Sequence, residues 1–451
     1  MNRLNMNAPP LNPPWVLRAG PRLERNSQVP ASLWAVLLTL IPVLDPVLNQ
    51  IHTAVPLRIG PFSLLQVLRG ALLLALLAYA ILAGQRNGRE NPTGWVCLMV
   101  AGCLAAFGLN EFYRRGELPL ESSVAGAQML YWALAWHVAA QAIRSRGEAS
   151  LVAGGLVAGS LVTAASVIYA YLAGVPSFYR TQGVDASAGW FASAKGIAGT
   201  LAVGAVLAGH LAWQRRRPVY WWAAALCVGA LLLTYARAGM VAACCALAWL
   251  LIWAGANGFG RRSAWARRML LTSAIAGAIF FLQAGTEGLL RRWSDLEQPG
   301  YAGSGRLILW SAAWDRYLEG TATEQVFGIG YGGMLDLTER AAGARLHTHN
   351  DVLDLLLVGG MVGIVFLMAV LAGIVWQIRR VPFRAPEFAL AVAVLTVLLV
   401  QGGLTGQIFL PDVMAYYLLA ISAIATLGAG PQSGFHALRP ARSGSGTGGG
   451  A

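Results

Sequence analysis

The sequence has little charge and almost no lysine. Charged residues make up 12% of its 451 residues, and Lys195 is the single lysine. Soluble domains carry about 25% charged residues, whereas this chain is 57% hydrophobic with a mean hydropathy of +0.56. These proportions exclude a water-soluble globular enzyme, a nucleic-acid-binding domain and a disordered scaffold. They indicate a protein that crosses a membrane several times.

Cysteine is scarce as well, and its pattern carries no chemistry. The five cysteines lie in apolar runs, their number is odd, and no CxxC pair occurs. Neither a disulfide framework nor a metal site built from cysteines is predicted. Cysteines in such runs are expected to act as small apolar packing residues.

Apolar runs of roughly 20 residues recur along the chain, the length that crosses a ~30 Å hydrocarbon core. Because a spanning segment must satisfy its own backbone hydrogen bonds, each run predicts a helix. The predicted fold class is an all-α polytopic membrane protein with about twelve transmembrane helices. These cover residues 31–49, 61–83, 94–111, 124–143, 150–174, 189–213, 218–236, 238–256, 268–286, 350–377, 387–409 and 412–428.

The placement of arginines predicts the orientation of these helices. With both termini in the cytoplasm, the inner segments hold 20 arginines and the short outer segments hold five, as the retention of positive charge in cytoplasmic loops requires. We expect residues 1–30 to be a cytoplasmic tail and not a cleavable signal. Residues 31–428 are expected to form one transmembrane domain, and residues 429–451, rich in Gly and Ser, a flexible cytoplasmic tail.

A polar stretch at residues 287–349 predicts one long outer loop between helices nine and ten. Loops of that length are usually functional or disordered, and this one is not of low complexity. Apolar side chains recur at helical spacing from Arg306 to Leu318, which predicts an amphipathic helix on the bilayer surface. Residues 327–333 contain four glycines and predict turns.

The motif HTHND at residues 347–351 stands directly before predicted helix ten. Asn350 or Asp351 can cap that helix, which would leave His349 at the helix mouth as a neutral base for a hydroxyl proton. We expect Asp351 or Asp354 to orient the imidazole ring. Two other interpretations stay open: a capping motif with a solvated histidine, and a metal site formed by His347 and His349 with Asp351 as the possible third ligand.

Four cations on the outer side are candidates for binding phosphate. Arg237 is the only charge in the hinge between predicted helices seven and eight, and Arg306 opens the amphipathic segment. Lys195 falls in the first turns of predicted helix six, with Arg180 just before it. Arginine suits bidentate phosphate binding, and ionisable groups at membrane depth are often functional. Snorkelling of the side chains to the interface is the alternative.

These outer-face residues resemble the O-antigen ligase family, a set of metal-independent bacterial membrane glycosyltransferases of the GT-C class. The family pattern of His, Asn/Ser/Arg, nine residues, Gly, two residues and Gly/Thr/Tyr matches His349, Asn350, Gly360 and Gly363. The "GR…W…GxGxG" run of the family matches Arg306, its flanking glycine, Trp310 and residues 327–332. Arg237 in a short outer hinge and the twelve-helix plan with one long outer loop also match. The specific motifs lie in residues 234–239 and 303–363.

The sequence departs from the family pattern at one place. Many relatives carry a "GxFxNPN" run that enters the helix after the fifth, and residues 189–195 stand there as GWFASAK. The Asn-Pro-Asn is lost and Lys195 appears, which suggests a different donor sugar or acceptor.

The resemblance implies a ligase that moves a glycan from undecaprenyl pyrophosphate to a hydroxyl of the lipid A core. The reaction would invert the anomeric centre at the periplasmic face of the bacterial inner membrane. His349 would be the catalytic base, supported by His347, Asn350, Asp351 and Asp354. The donor pyrophosphate would be held by Arg237, Arg306, Lys195 and Arg180. No metal and no other cofactor are expected, and the expected partners are the lipid-linked donor, the glycan acceptor and the bilayer.

Three alternatives remain open at this point. A polymerase of the same superfamily would extend O-antigen or exopolysaccharide repeats and use the same leaving group, with a growing glycan as acceptor. A protein O-oligosaccharyltransferase is a further possibility within the same chemistry. A twelve-helix secondary transporter belongs to a different class, but its long loop commonly lies in the middle of the chain on the cytoplasmic side.

Overall fold

The computed structural model describes residues 35–41, 43–44, 58–59, 62–84, 92–175, 189, 194–215, 217–257 and 306–429. Two short strands and a series of helices follow one another within these ranges. They are β1 (Arg58–Ile59), β2 (Phe62–Ser63), α1 (Leu64–Gly84), α2 (Pro92–Arg115), α3 (Leu120–Ala142), α4 (Arg146–Leu172), α5 (Ala194–Arg215), α6 (Pro218–Leu233), α7 (Arg237–Ala256), α8 (Arg306–Leu318), α9 (Ala322–Phe327), α10 (Gly330–Ala342), α11 (Asp351–Ile378), α12 (Pro386–Thr405) and α13 (Pro411–Gly428).

The all-α fold class is confirmed. In the part of the chain described, six helices are long and apolar enough to cross a membrane, namely α2, α4, α7, α11, α12 and α13. Shorter apolar stretches lie in α1, α5 and α6. The predicted helix at 268–286 lies outside the described residues, as do residues 287–305 of the predicted loop, so the total of twelve stays a prediction. The strands add only a two-residue antiparallel ladder before α1.

Helix α13 lies at the centre of the bundle. It packs against α3, α4, α5, α11 and α12, and residues 417–421 have no exposed surface. Polar contacts tie it to neighbours as well: the hydroxyls of Ser160 and Tyr416 lie 2.5 Å apart, and the Trp132 indole donates to the Ile408 carbonyl in the loop before the helix (3.0 Å). A helix buried on all sides has apolar residues all round, as the sequence of α13 does.

Helices α7 and α12 run antiparallel along their whole length. The Trp253 indole donates to the Phe383 carbonyl (3.1 Å), and the Trp249 indole donates to the Ala389 carbonyl (3.0 Å). Near the beginning of α7, a Cβ on Gly239 would lie 3.1 Å from the side-chain nitrogen Nε2 of Gln401. Because residue numbers rise along α7 as they fall along α12, the beginning of α7 and the end of α12 meet at one end of the bundle.

The helices α8, α9 and α10 form the segment that leads to α11. The predicted amphipathic helix is confirmed with the same bounds, Arg306–Leu318. Ion pairs hold the segment to the end of α2: Arg114 contacts Glu324 and Arg115 contacts Asp336, each at 2.7 Å. The amide of Asn110 also donates to the carbonyl of Gly328 (3.1 Å).

The prediction of turns across residues 327–333 is wrong for its second half, because α10 begins at Gly330. The buried carboxylate of Glu111 accepts a hydrogen bond from the Gly332 amide (2.8 Å) and places negative charge at the positive end of the helix. A Cβ on Gly332 would lie 2.7 Å from that carboxylate oxygen. The glycines therefore serve the close approach of Glu111 and not only a turn.

Helix α11 is broken at Gly360, one of the two motif glycines. Its φ of 58° and ψ of −143° are not helical, and φ values in this range favour glycine. The segment after α9 fills the break: the Ile329 amide donates to the Leu357 carbonyl (2.6 Å). A Cβ on Gly360 would lie 2.5 Å from the Gln325 carbonyl oxygen. The His–Asn–x9–Gly pattern therefore places its Asn at the cap of α11 and its Gly at the break in the same helix.

Candidate functional site

Residues 347–350, called the histidine segment here, cross the end of the bundle just before α11. Of the two predicted capping residues, Asn350 caps α11: its side-chain oxygen accepts from the amides of Val352 (3.0 Å) and Leu353 (3.2 Å). Its side-chain nitrogen donates to the carbonyl of Gly403 near the end of α12 (3.0 Å). A cap that satisfies orphan amides is here also a tie between two helices.

Asp351 connects α11 to the loop between α12 and α13. One carboxylate oxygen of this buried residue accepts from the amides of Gln407 (2.6 Å) and Ile408 (2.9 Å). A Cβ on Gly402 would lie 2.5 Å from its other oxygen. A buried carboxyl is tolerated when such hydrogen bonds satisfy its oxygens. Asp351 thereby orders residues 406–408, which lie against the histidine segment.

His349 itself adopts a left-handed backbone conformation with φ of 63°. Residues other than glycine rarely adopt this backbone conformation. It costs free energy that surrounding contacts must offset. The ring nitrogen Nδ1 lies 3.3 Å from the Thr405 carbonyl oxygen at the end of α12. A carbonyl can only accept, so this contact favours the tautomer with hydrogen on Nδ1 and the lone pair on Nε2.

Asp354 contacts the other histidine of the segment. One of its oxygens accepts from the Thr348 amide (2.7 Å), and the other lies 3.5 Å from Nδ1 of His347. Nε2 of His347 lies 3.2 Å from the Tyr331 hydroxyl, and its ring stacks on Phe409 with centroids 5.1 Å apart. The sequence suggested Asp351 or Asp354 as the group that orients His349. In the structure these carboxylates contact the backbone and His347.

Burial and nearby charge both shift the pKa values of this cluster. Burial works to lower the pKa of His347, but the contact with Asp354 at 3.5 Å and the negative charges of Asp354 and Asp351 outweigh it and raise that pKa above its usual value. Burial, with the charge of Asp354 adding to it, raises the pKa of the Tyr331 hydroxyl to about 12. Tyr331 therefore remains protonated at neutral pH.

Arg306 is brought to the histidine segment by α8. It is the first residue of this helix, and Trp310 follows one turn later on the same face. The Trp310 indole donates to the carbonyl of Thr348, the residue next to His349 (2.9 Å). The predicted amphipathic helix therefore lies with its first turns beside the candidate base.

Arg237 reaches the same end of the bundle from α7, of which it is the first residue. The preceding hinge is a tight turn in which Tyr235 has φ of 50° and the Ala236 amide donates to the Thr234 hydroxyl (3.2 Å). Gly239, half a turn on, lies against Gln401, whose carbonyl oxygen accepts from the Thr405 hydroxyl (2.7 Å). Thr405 in turn contacts His349, so one helix end connects the two motifs.

The other two predicted cations are placed less fully. Arg180 lies outside the described residues. Lys195 is the second residue of α5, and only its backbone is described. Gly199 is four residues further on, and a Cβ there would meet the Tyr417 hydroxyl and lie 3.3 Å from Cγ of Gln401. Lys195 therefore stands on the side of α5 that faces α12 and α13, at their site end. Its role stays a prediction.

Sequence reasoning missed three residues that build this site. Glu111 carries the only acidic charge in the apolar part of α2, and that isolated charge was a usable signal. Tyr331 and Phe409 gave no signal, because one lies in the glycine-rich run and the other in a short apolar loop. Their roles depend on ring contacts with His347: Phe409 stacks on the imidazole, and Tyr331 meets both rings edge-on (Tyr331 and Phe409 centroids 5.3 Å apart).

The fold and these residues define a multi-pass membrane protein with a polar site at one end of the helix bundle. A family model described as O-Antigen ligase matches residues 222–368. The match confirms the resemblance and assigns this region to the O-antigen ligase and polymerase superfamily. No curated protein matches the chain. The matched region contains Arg237, Arg306 and His349, and it supports a glycosyltransferase-like membrane enzyme of the O-antigen pathway.

Proposed function

We propose that this protein is an O-antigen ligase-like glycosyltransferase. It moves a glycan from undecaprenyl pyrophosphate to a hydroxyl of the lipid A core at the periplasmic face of the bacterial inner membrane. The observation that carries the proposal is the pair of strained turns at one end of the bundle. In the part of the chain described, Tyr235 and His349 are the two non-glycine residues with positive φ.

Strain of this kind clusters at functional sites, where it holds side chains in a reactive geometry. One strained turn carries His349 and the other precedes Arg237 by two residues. Both turns lie within the region matched by the family model. A base and a phosphate-binding cation on neighbouring helix ends are the parts that glycosyl transfer from a pyrophosphate requires.

The reaction balances with these groups alone. The acceptor hydroxyl oxygen attacks the anomeric carbon, and the bond from that carbon to the pyrophosphate oxygen breaks. The hydroxyl proton passes to Nε2 of His349, and undecaprenyl pyrophosphate leaves with the electron pair. A single displacement inverts the anomeric centre, and general base catalysis contributes about 10²–10⁴-fold.

Arg237 and Arg306 bind the departing pyrophosphate, with Lys195 and Arg180 as further candidates. Negative charge grows on the leaving group as the glycosidic bond breaks. Fixed cations at a poorly solvated site stabilise this charge more than water does. Guanidinium groups suit the task because their planar fork matches two phosphate oxygens. The reaction then needs no metal ion to neutralise the leaving group.

A polymerase of the same superfamily is the second candidate, because the family match covers both enzymes. It would use the same base and cations and transfer the glycan to a growing chain on its lipid carrier. The two functions differ only in the acceptor.

The test is an analysis of surface and lipid-linked glycans in a deletion strain that expresses either wild-type protein or His349→Ala. Long polymer that stays on undecaprenyl pyrophosphate and never reaches lipid A core identifies the ligase. Single repeats, on carrier or core, identify the polymerase. Val352→Ala, an exposed neighbour in the first turn of α11, is the matched control and should restore the wild-type pattern. A wild-type pattern with His349→Ala would overturn the proposed base.

A further inference from the structure

We propose that Asp354 and His347 form a positioning pair, which holds His349 in its left-handed conformation and sets the pH range in which His349 works. The inference rests on the proposed role of His349 as the base. The pair does not touch the reacting atoms in this proposal. It acts on the conformation and the charge of its neighbour.

The contacts of Asp354 support the claim that the pair holds the conformation of His349. Its two oxygens contact two residues of the histidine segment at once, the amide of Thr348 (2.7 Å) and the ring of His347 (3.5 Å). Asn350 holds the other side of His349 through Gly403. His349 is thus fixed at both flanks, and this offsets the cost of its positive φ.

The surroundings of His347 support the claim that the pair sets the pH range of His349. Tyr331 on α10 contacts Nε2 of the ring, Asp354 and Asp351 on α11 contribute negative charge, and Phe409 covers one face. Glu121 on α3 and Arg345, which pair with each other at 3.1 Å, are the other charged groups near Tyr331. When His347 is protonated, its charge therefore balances that of Asp354.

The inference requires that the charge of His347 changes the pKa of His349. The two residues are separated by one position, so their Cα atoms are at most about 7 Å apart. Two unit charges at that distance change each other's pKa by roughly half to one and a half units, according to the effective dielectric constant. Removal of the positive charge of His347 leaves Asp354 unbalanced, and this favours the protonated form of His349.

The decisive experiment measures kcat/KM against pH for release of undecaprenyl pyrophosphate by the purified full-length protein. His347→Gln should move the acidic limb of the profile to higher pH by roughly half to one and a half units. The double variant His347→Gln with Asp354→Asn restores a neutral pair and should bring the limb back. Arg340→Gln removes an exposed charge from α10 and should leave the limb in place.

The positioning role has its own measurement. Asp354→Ala should lower kcat roughly 10- to 100-fold with little change in KM, because a misplaced group costs that much. Asp354→Asn keeps an oxygen for the Thr348 amide and should recover part of the loss. If a His347→Gln protein melts early, His347→Asn replaces it with the same charge expectation.

The outcomes separate this inference from the proposed function. Full activity of His349→Ala would overturn both the base and the pair. Loss of activity in His349→Ala together with an unmoved acidic limb in His347→Gln would overturn the pair alone. A limb that moves in His347→Gln and does not return in the double variant would also overturn it.

Discussion

His137 and His349 show how the same side chain is used in two regions of one molecule. His137 lies inside α3, where its Nδ1 is 3.0 Å from the Thr93 hydroxyl and its Nε2 is 2.9 Å from the Gln141 amide nitrogen. Its backbone is helical and both ring nitrogens have side-chain partners. His349 lies at the end of the bundle in a strained turn, with Nδ1 against a carbonyl. The contrast teaches that a histidine that serves packing sits in relaxed backbone, whereas the site stores strain.

The largest expected effect is a contrast between these two histidines, one affecting turnover and the other stability. His349→Ala should reduce turnover about 10²–10⁴-fold while the melting temperature stays close to wild type. His137→Ala should lower the melting temperature, because Thr93 and Gln141 lose a partner inside the bundle, and turnover of the folded protein should be retained. Activity and melting curves of both purified variants test this contrast, and equal losses of activity would break it.

The next effect concerns arginines at the site and away from it. Arg237→Lys and Arg306→Lys keep the charge but lose the planar fork, so each should lower kcat/KM by at least about tenfold. Arg340 is exposed on α10 and donates to the Asp336 carbonyl; Arg340→Ala should remain within about twofold of wild type. Steady-state kinetics with the lipid-linked donor decide the matter, and lysine variants at wild-type rates would argue against bidentate binding.

A smaller effect is expected from glycines at the break and in open surroundings. Gly360→Ala forces a positive φ and a contact of 2.5 Å with a carbonyl oxygen, so it should destabilise the protein by about 1–3 kcal/mol. Gly70→Ala in α1 meets nothing within 4 Å and should be neutral or slightly stabilising. Thermal melting in detergent measures both, and equal melting temperatures would contradict the structural role of the break.

A modest pH effect is expected at an ion-pair clamp in which Glu324 on α9 contacts Arg114 on α2 and Arg316 on α8. Ion pairing with Arg316, assisted by the Thr321 amide and Arg114, lowers the pKa of Glu324 from 4.5 to about 2. Because the pKa is lower in the folded state, the clamp contributes stability above pH 4.5 and loses it as the pH falls towards 2. Proteolysis of the segment from α8 to α10 between pH 7 and 3, with Glu324→Gln as the comparison, reports it. Protection of the variant that equals wild type at pH 7 would show that the clamp does not depend on this charge.

The smallest expected effect is that of chelation. The proposed mechanism neutralises the leaving group with arginines, so EDTA should leave turnover within about twofold of the untreated protein. Loss of activity in EDTA that a divalent cation restores would move the charge neutralisation from the arginines to a metal.

The local features of the site could be predicted from the sequence. The helix Arg306–Leu318 was predicted from its apolar spacing, and the cap at Asn350 from its position before an apolar run. Both depend on residues a few positions apart, so the pattern of neighbours contains the information. The glycine-rich run was misjudged because its helix depends on Glu111, which is more than 200 positions away.

By itself, the sequence determined the membrane class, the helix-forming segments and the motifs that the family model matches. These follow from composition and from short-range periodicity, which act on the chain before it folds. Only the tertiary structure decided that Asp354 contacts His347, that Arg237 and His349 meet through α12, and that residues 325–329 fill the break at Gly360. Such contacts join distant segments through shape and hydrogen bonding, and no local pattern specifies which carboxylate meets which histidine.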